Sequence, residues 1–247
     1  MLIALLTAIG VGTSTVAGSL VSFFVKDVSH KVSDSIMSFA AGIMLSATFF
    51  SLILPAMENK ANTWLVILGI IFGSVLIKLI DRLVPHIHSL ISPVTKGENS
   101  GELHRVILFL IAIAIHNFPE GLAVGVSFGT ENIANAFSIA IGISLQNIPE
   151  GMITILPLIL AGVSRKKAFI IALFTGISEI AGVILGYFTV SLSAAMLPFI
   201  LAMAGGTMLY VISHDMIPET HSHGYESTAT FSLIFGFVTM IIIWSAF

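Results

Sequence analysis

The chain reads as an all-α integral membrane protein with eight transmembrane helices, and three observations predict this. Of its 247 residues 56% are hydrophobic and 9% charged, and the mean hydropathy is +1.05, outside the range of soluble domains. Its polar residues are gathered into short stretches. The apolar runs between them are each long enough, at about 20 residues, to cross the hydrocarbon of a bilayer.

Cutting the sequence at its polar stretches predicts spans of about 1–24, 35–57, 63–81, 105–128, 133–160, 167–191, 195–214 and 228–247. The first run, MLIALLTAIGVGTSTVAGSLVSFF, lacks the charged start and short apolar centre of a secretory signal and is expected to be the first membrane helix. Two connections are longer than the rest, 82–104 (RLVPHIHSLISPVTKGENSGELH) and 214–227 (HDMIPETHSHGYES). Neither has the make-up of a separate folded unit, so residues 1–247 are expected to form one transmembrane domain. Lys26, Lys31, Lys78, Arg82, Lys96, Arg105, Arg165, Lys166 and Lys167 fall on one side of these spans and Lys60 alone on the other. The positive-inside rule then makes the first side cytoplasmic, with both termini outside and the histidine-bearing segments 82–104 and 214–227 inside.

A net charge of -3 gives no hold for nucleic acid, and the absence of cysteine excludes disulfides, thiolate chemistry and Cys-type metal sites. The informative residues lie within the spans. HNFPEG at 116–121 and QNIPEG at 146–151 repeat at an offset of 30 on adjacent spans that run in opposite directions. His116 and Glu120 are i and i+4, as are Gln146 and Glu150, so each pair shares one helix face and two helices can converge four side chains on one point. Asn117 and Asn147 sit about 100° further round, where a second cation is within reach of glutamates that bridge. Pro119 and Pro149 loosen the helices beside these groups. A buried carboxylate costs roughly 2.5 kcal/mol or more in hydrocarbon. Glu120, Glu150 and Glu179, the last in LFTGISEIAGVILG, have no Lys or Arg in the centres of their spans, so they call for cations. Carboxylates with a histidine favour a divalent transition metal. Glu179 alone also fits a structural pair or a proton carrier, and Met44 is either a core filler or a thioether ligand.

Outside the spans' centres, His86, His88 and His104, and then His214, Asp215, Glu219, His221 and His223, are candidates to receive a metal on the cytoplasmic side, with His214 and Asp215 nearest the membrane. Spans two and seven also align. Ala41-Gly42 and Ala204-Gly205 precede Pro55 and Pro218 at one offset of 163. Such opposed repeats around a midplane site are a feature of alternating-access transporters.

HNFPEGLA, QNIPEGM, eight spans and a histidine-bearing loop after span three resemble the ZIP family of divalent metal transporters. Gln146 and SHDMIPETHSHG are similar to its bacterial GufA-like branch. The resemblance implies a 3+2+3 arrangement whose first and last three spans form an inverted repeat. It also implies a binuclear metal centre from His116, Asn117, Glu120, Gln146, Asn147 and Glu150, joined by Met44 and Glu179, with Asn147 weakening the second position where some relatives have Asp. The implied activity is movement of Zn²⁺, with Fe²⁺, Mn²⁺, Co²⁺ or Cd²⁺ as variants, toward the cytoplasm across a bacterial inner membrane. The metal is substrate, no cofactor is expected, and some family members are homodimers. A membrane metalloenzyme is disfavoured because H-E-x-x-H and paired E-x-x-H motifs are absent. A proton- or Na⁺-coupled carrier using the acids as a relay is the alternative.

Overall fold

The computed structural model describes residues 2–24, 29–57, 63–83, 117–129, 133–160, 163–192 and 196–246, and its regular structure there is entirely helical. The helices are α1 (Leu2–Val21), α2 (His30–Met57), α3 (Thr63–Leu83), α4 (117–128), α5 (Ile133–Leu160), α6 (Arg165–Leu192), α7 (Leu197–Thr220) and α8 (Glu226–Ala246). By length and composition α1, α2, α3, α6, α7 and α8 can each cross a membrane, and α5 has the length at 28 residues. Most of the predicted loop 82–104, the first part of span four, and with them His86, His88, His104 and His116, lie outside the described residues.

Two spans are longer than their apolar runs. α2 begins at His30, ahead of the predicted start at 35, with the Ser29 hydroxyl accepting the Val32 amide. α7 runs to Thr220, so His214, Asp215 and Glu219 lie on a helix and not in the predicted loop 214–227. Both helices carry a π-helical turn, Thr48–Ile53 in α2 and Ile212–Met216 in α7. The amides of Leu54 and Ile217 reach back five residues, to the carbonyls of Phe49 and Ile212, immediately before Pro55 and Pro218. Widening the turn there relieves the clash between a proline ring and the carbonyl four residues earlier, so the helix passes through a polar, proline-bearing run instead of ending. At Pro149, by contrast, α5 runs on without interruption.

The helices pack as two groups. α1 lies against α5 and α6, while α8 packs on α2 and α3 on α7; α2 also meets α5. α3 and α8 are little buried, and side chains such as Leu68, Phe72, Phe231 and Phe235 form an apolar outer surface suited to lipid. Helices in lipid gain little from apolar burial against one another, so close backbone approach has to supply the cohesion. Glycines provide it. A Cβ on Gly121 or Gly125 of α4 would stand 2.0 Å from the carbonyl oxygens of Glu179 and Val183 on α6, and one on Gly18 of α1 1.9 Å from that of Ile148 on α5.

These approaches come in related pairs. Gly18 on Ile148 and Gly151 on Thr15 join α1 to α5; Gly182 on Phe118 and Gly121 on Glu179 join α6 to α4 in the same way. Gly42 on Leu233 and Gly236 on Phe39 join α2 to α8, matched by Gly206 on Ile70 and Gly73 on Met203 between α7 and α3. Between α1 and α6, Gly12 and Gly176 each face the other's carbonyl. Exchanging the first three helices with the last three, and α4 with α5, therefore maps these glycine contacts onto themselves. The register ahead of the π turns is 164, as in the pair Thr15 and Glu179. It drops by one after them because the turn in α2 has 6 residues and that in α7 has 5.

Candidate metal centre

α4 and α5 bring their polar motifs together. Asn117, Glu120, Gln146, Asn147 and Glu179 are fully buried, at 0% exposure, and Glu150 is partly buried. Gln146 Nε2 donates to Glu120 Oε1, tying α5 to α4. Asn147 Nδ2 donates to Glu179 Oε1 at 2.5 Å and lies 3.5 Å from the Val11 carbonyl oxygen. Thr15 Oγ1 donates to Glu179 Oε2 at 3.1 Å. Four helices, α1, α4, α5 and α6, thus meet in one polar knot inside an otherwise apolar bundle. Glu150 and Glu179 lie within electrostatic reach of Glu120, and Glu150 of Glu179. The basic residues of α6, Arg165, Lys166 and Lys167, stand in its first turn, far along the helix from Glu179.

Among the described residues, Asn117 Oδ1 and Nδ2, Glu120 Oε2, Gln146 Oε1 and Asn147 Oδ1 are buried without a hydrogen-bond partner. An unmade hydrogen bond at a buried polar atom costs about 1–3 kcal/mol, and native interiors hold few of them. Here four such oxygens sit on two adjacent helices, beside three acids. Oxygens of this kind are satisfied by a cation, which accepts lone pairs from carboxylates and amides alike and neutralises charge as it does so. Among the described residues no three His, Asp or Glu side chains by themselves form a cluster able to hold an ion. The knot mixes acids with amides, and its candidate histidine, His116, lies outside the described residues. Met44 is buried, at 1% exposure, in the main core.

The candidates toward the end of α7 take separate partners. The His214 ring lies 4.9 Å from that of Tyr210. His221 has Nδ1 2.9 Å from the Ile217 carbonyl oxygen and Nε2 3.0 Å from Thr230 Oγ1, joining the end of α7 to α8. His223 reaches α2, with Nδ1 3.1 Å from Asp34 Oδ1 and its ring stacked on His30 at 4.3 Å.

Sequence reasoning passed over Thr15, Asp34 and His30. For Thr15 a signal existed: GTSTVAG at 12–18 and GISEIAG at 176–182 share both glycines, the serine and the alanine, and place Thr15 opposite Glu179.

A helical membrane bundle with paired acid and amide groups on adjacent spans defines the class of membrane metal-ion proteins, and comparison with known proteins narrows it. The family described as ZIP Zinc transporter matches residues 92–244. The chain is 38% identical over 240 residues to Zinc transporter GufA of Myxococcus xanthus, covering 94% of each chain. It is 34% identical to Zinc transporter ZIPB of Bordetella bronchiseptica, over 93% of this chain and 76% of that one. With Zinc transporter ZupT of Streptococcus mutans it shares 30% identity, over 96% of this chain and 94% of that one. The chain belongs to the ZIP family.

Proposed function

We propose that this protein carries a divalent transition metal, Zn²⁺ foremost, across a bacterial inner membrane toward the cytoplasm, through a binuclear centre midway through the bundle. The observation that carries the reading is the set of four buried oxygens, on Asn117, Glu120, Gln146 and Asn147, that lack hydrogen-bond partners among the described residues, with Glu150 and Glu179 also at the site. On this reading His116, Glu120, Gln146 and Glu150 hold the primary ion, and Met44 joins the centre. Asn117, Asn147 and Glu179 share a second with the two motif glutamates, and the neutral Asn147 makes that position the weaker. Relatives named as zinc transporters support Zn²⁺ as substrate, and a transporter over an enzyme.

The paired glycine contacts support a 3+2+3 arrangement in which α1–α3 and α6–α8 form an inverted repeat around α4 and α5, the architecture of alternating access. The lysine and arginine distribution supports both termini outside, and His214 and Asp215 on α7 are the nearest candidates to take the ion as it leaves. Zn²⁺ uptake into proteoliposomes tests the proposal. Uptake should be lost when Glu120 and Glu150 are both changed to Ala, and uptake unchanged in that double variant would overturn it.

A further inference from the structure

Threonines in these helices mostly turn back on their own backbone. The hydroxyls of Thr13, Thr48, Thr189 and Thr239 donate to the carbonyls of Ile9, Met44, Leu185 and Phe235, four residues earlier. Such back-bonding is the ordinary way to satisfy a hydroxyl in an apolar helix. Thr15, at 3% exposure, spends its single hydroxyl proton on another helix, at Glu179 Oε2, 3.1 Å away. The other oxygen of that carboxylate accepts from Asn147 Nδ2. Glu179 is thereby gripped at both oxygens by neutral donors, one from α1 and one from α5. The backbone is held just as closely, with Gly121 against the Glu179 carbonyl and Gly151 against that of Thr15.

A neutral grip differs from an ion pair in its consequence. An Arg or Lys here would compensate the Glu179 charge permanently and compete with an arriving metal. A hydroxyl and an amide orient the carboxylate while leaving its net charge, and a lone pair on each oxygen, for the ion. We propose that Thr15 is a positioning residue of the metal centre, holding Glu179 in the orientation in which it receives the ion. α1 is then part of the site, although it contributes none of the ligands read from the sequence. This rests on Glu179 belonging to the centre.

The test compares Thr15→Val, which keeps the shape and loses the donor, with Thr15→Ser, which keeps the donor and loses a methyl. Each is measured by Zn²⁺ titration of purified protein and by uptake kinetics in proteoliposomes. Thr15→Val should weaken Zn²⁺ binding and raise the apparent KM about tenfold, the lower end of the effect of removing an outer partner of a metal ligand. Vmax per folded molecule should change much less, and Thr15→Ser should stay within about twofold of the parent.

Valine matching the parent, or serine failing as badly as valine, would overturn the proposal. Should Thr15→Val yield too little folded protein, Thr15→Ala against Thr15→Ser answers the same question. In a Glu179→Gln background the loss of the hydroxyl should add little further weakening; a fully additive effect would mark mere packing and overturn the inference. A parent protein that neither binds nor moves Zn²⁺ would instead overturn the functional reading on which the inference rests.

Discussion

At Glu120 one oxygen accepts from Gln146 and the other has no partner among the described residues, so the two ends of one carboxylate would make different demands on an ion. Glu120→Gln keeps the shape and removes the charge. Zn²⁺ uptake should fall by at least about tenfold, while the thermal midpoint of the metal-free protein should hold or rise, because a buried charge facing two other acids has gone. Purified protein in detergent and in proteoliposomes gives both readouts. Asn147→Asp should do the reverse. Its amide now donates to Glu179, and an acid in its place would set two carboxylates against each other. The metal-free protein should lose about 1–3 kcal/mol, whereas the stabilisation produced by Zn²⁺ should grow, as thermal melts with and without metal would show. Protons compete with metal for carboxylates and imidazole, and an unperturbed histidine titrates near 6.5. Uptake should therefore decline as pH falls from about 7.5 to 5.5, and a flat profile over that window would count against the ligand set. The motif residues were legible because polar groups stand out in an apolar span. Thr15 was legible only by setting GTSTVAG beside GISEIAG, because one threonine in GVGTSTVAG looks like its neighbours on its own.

Helices were legible by their apolar length, their ends less so. α7 continues through His214, Asp215 and Pro218 because a π turn absorbs the proline, and the same polar residues read one by one look like a loop. His223, read as one of a run of loop histidines, closes instead on Asp34 at the start of α2, a pairing that depends on how the helices assemble. The glycine interfaces were hidden for a similar reason, since a glycine among alanines and leucines does not show which helix will press on it. They give a prediction at this scale. Gly125→Ala puts a methyl about where the Val183 carbonyl oxygen now sits, so α4 and α6 must part. It should lower the thermal midpoint and impair uptake. Gly10→Ala meets nothing within 4 Å and adds helix propensity, so it should be neutral or slightly stabilising. Equal effects in the two variants, by melting in detergent, would show that the close approach contributes nothing.

For the bundle as a whole, the proposed centre links metal and fold, because an ion joining Glu120, Glu150 and Glu179 on three helices would offset their mutual repulsion. Zn²⁺ at a hundred times its dissociation constant should stabilise the protein by about 2.7 kcal/mol. The corresponding rise in thermal midpoint should vanish in the Glu120→Ala, Glu150→Ala double variant. Among the described residues six of the eight predicted spans are long and apolar enough to cross a membrane, as hydropathy foresaw, but the symmetry was seen only in outline. The two π turns differ by one residue, and a shift in register at that point hides the repeat from an alignment at a single offset. Its consequence reaches beyond packing. If the proposed repeat rocks between the two faces of the bilayer, halves joined by matching glycine contacts can lean either way at similar energetic cost, and posture at rest is left to the few positions where they disagree. Thr15 across from Glu179 is one, and the unequal wide turns are another. On the proposed alternating-access reading, the direction in which an empty molecule faces would then rest with a handful of such unmatched side chains.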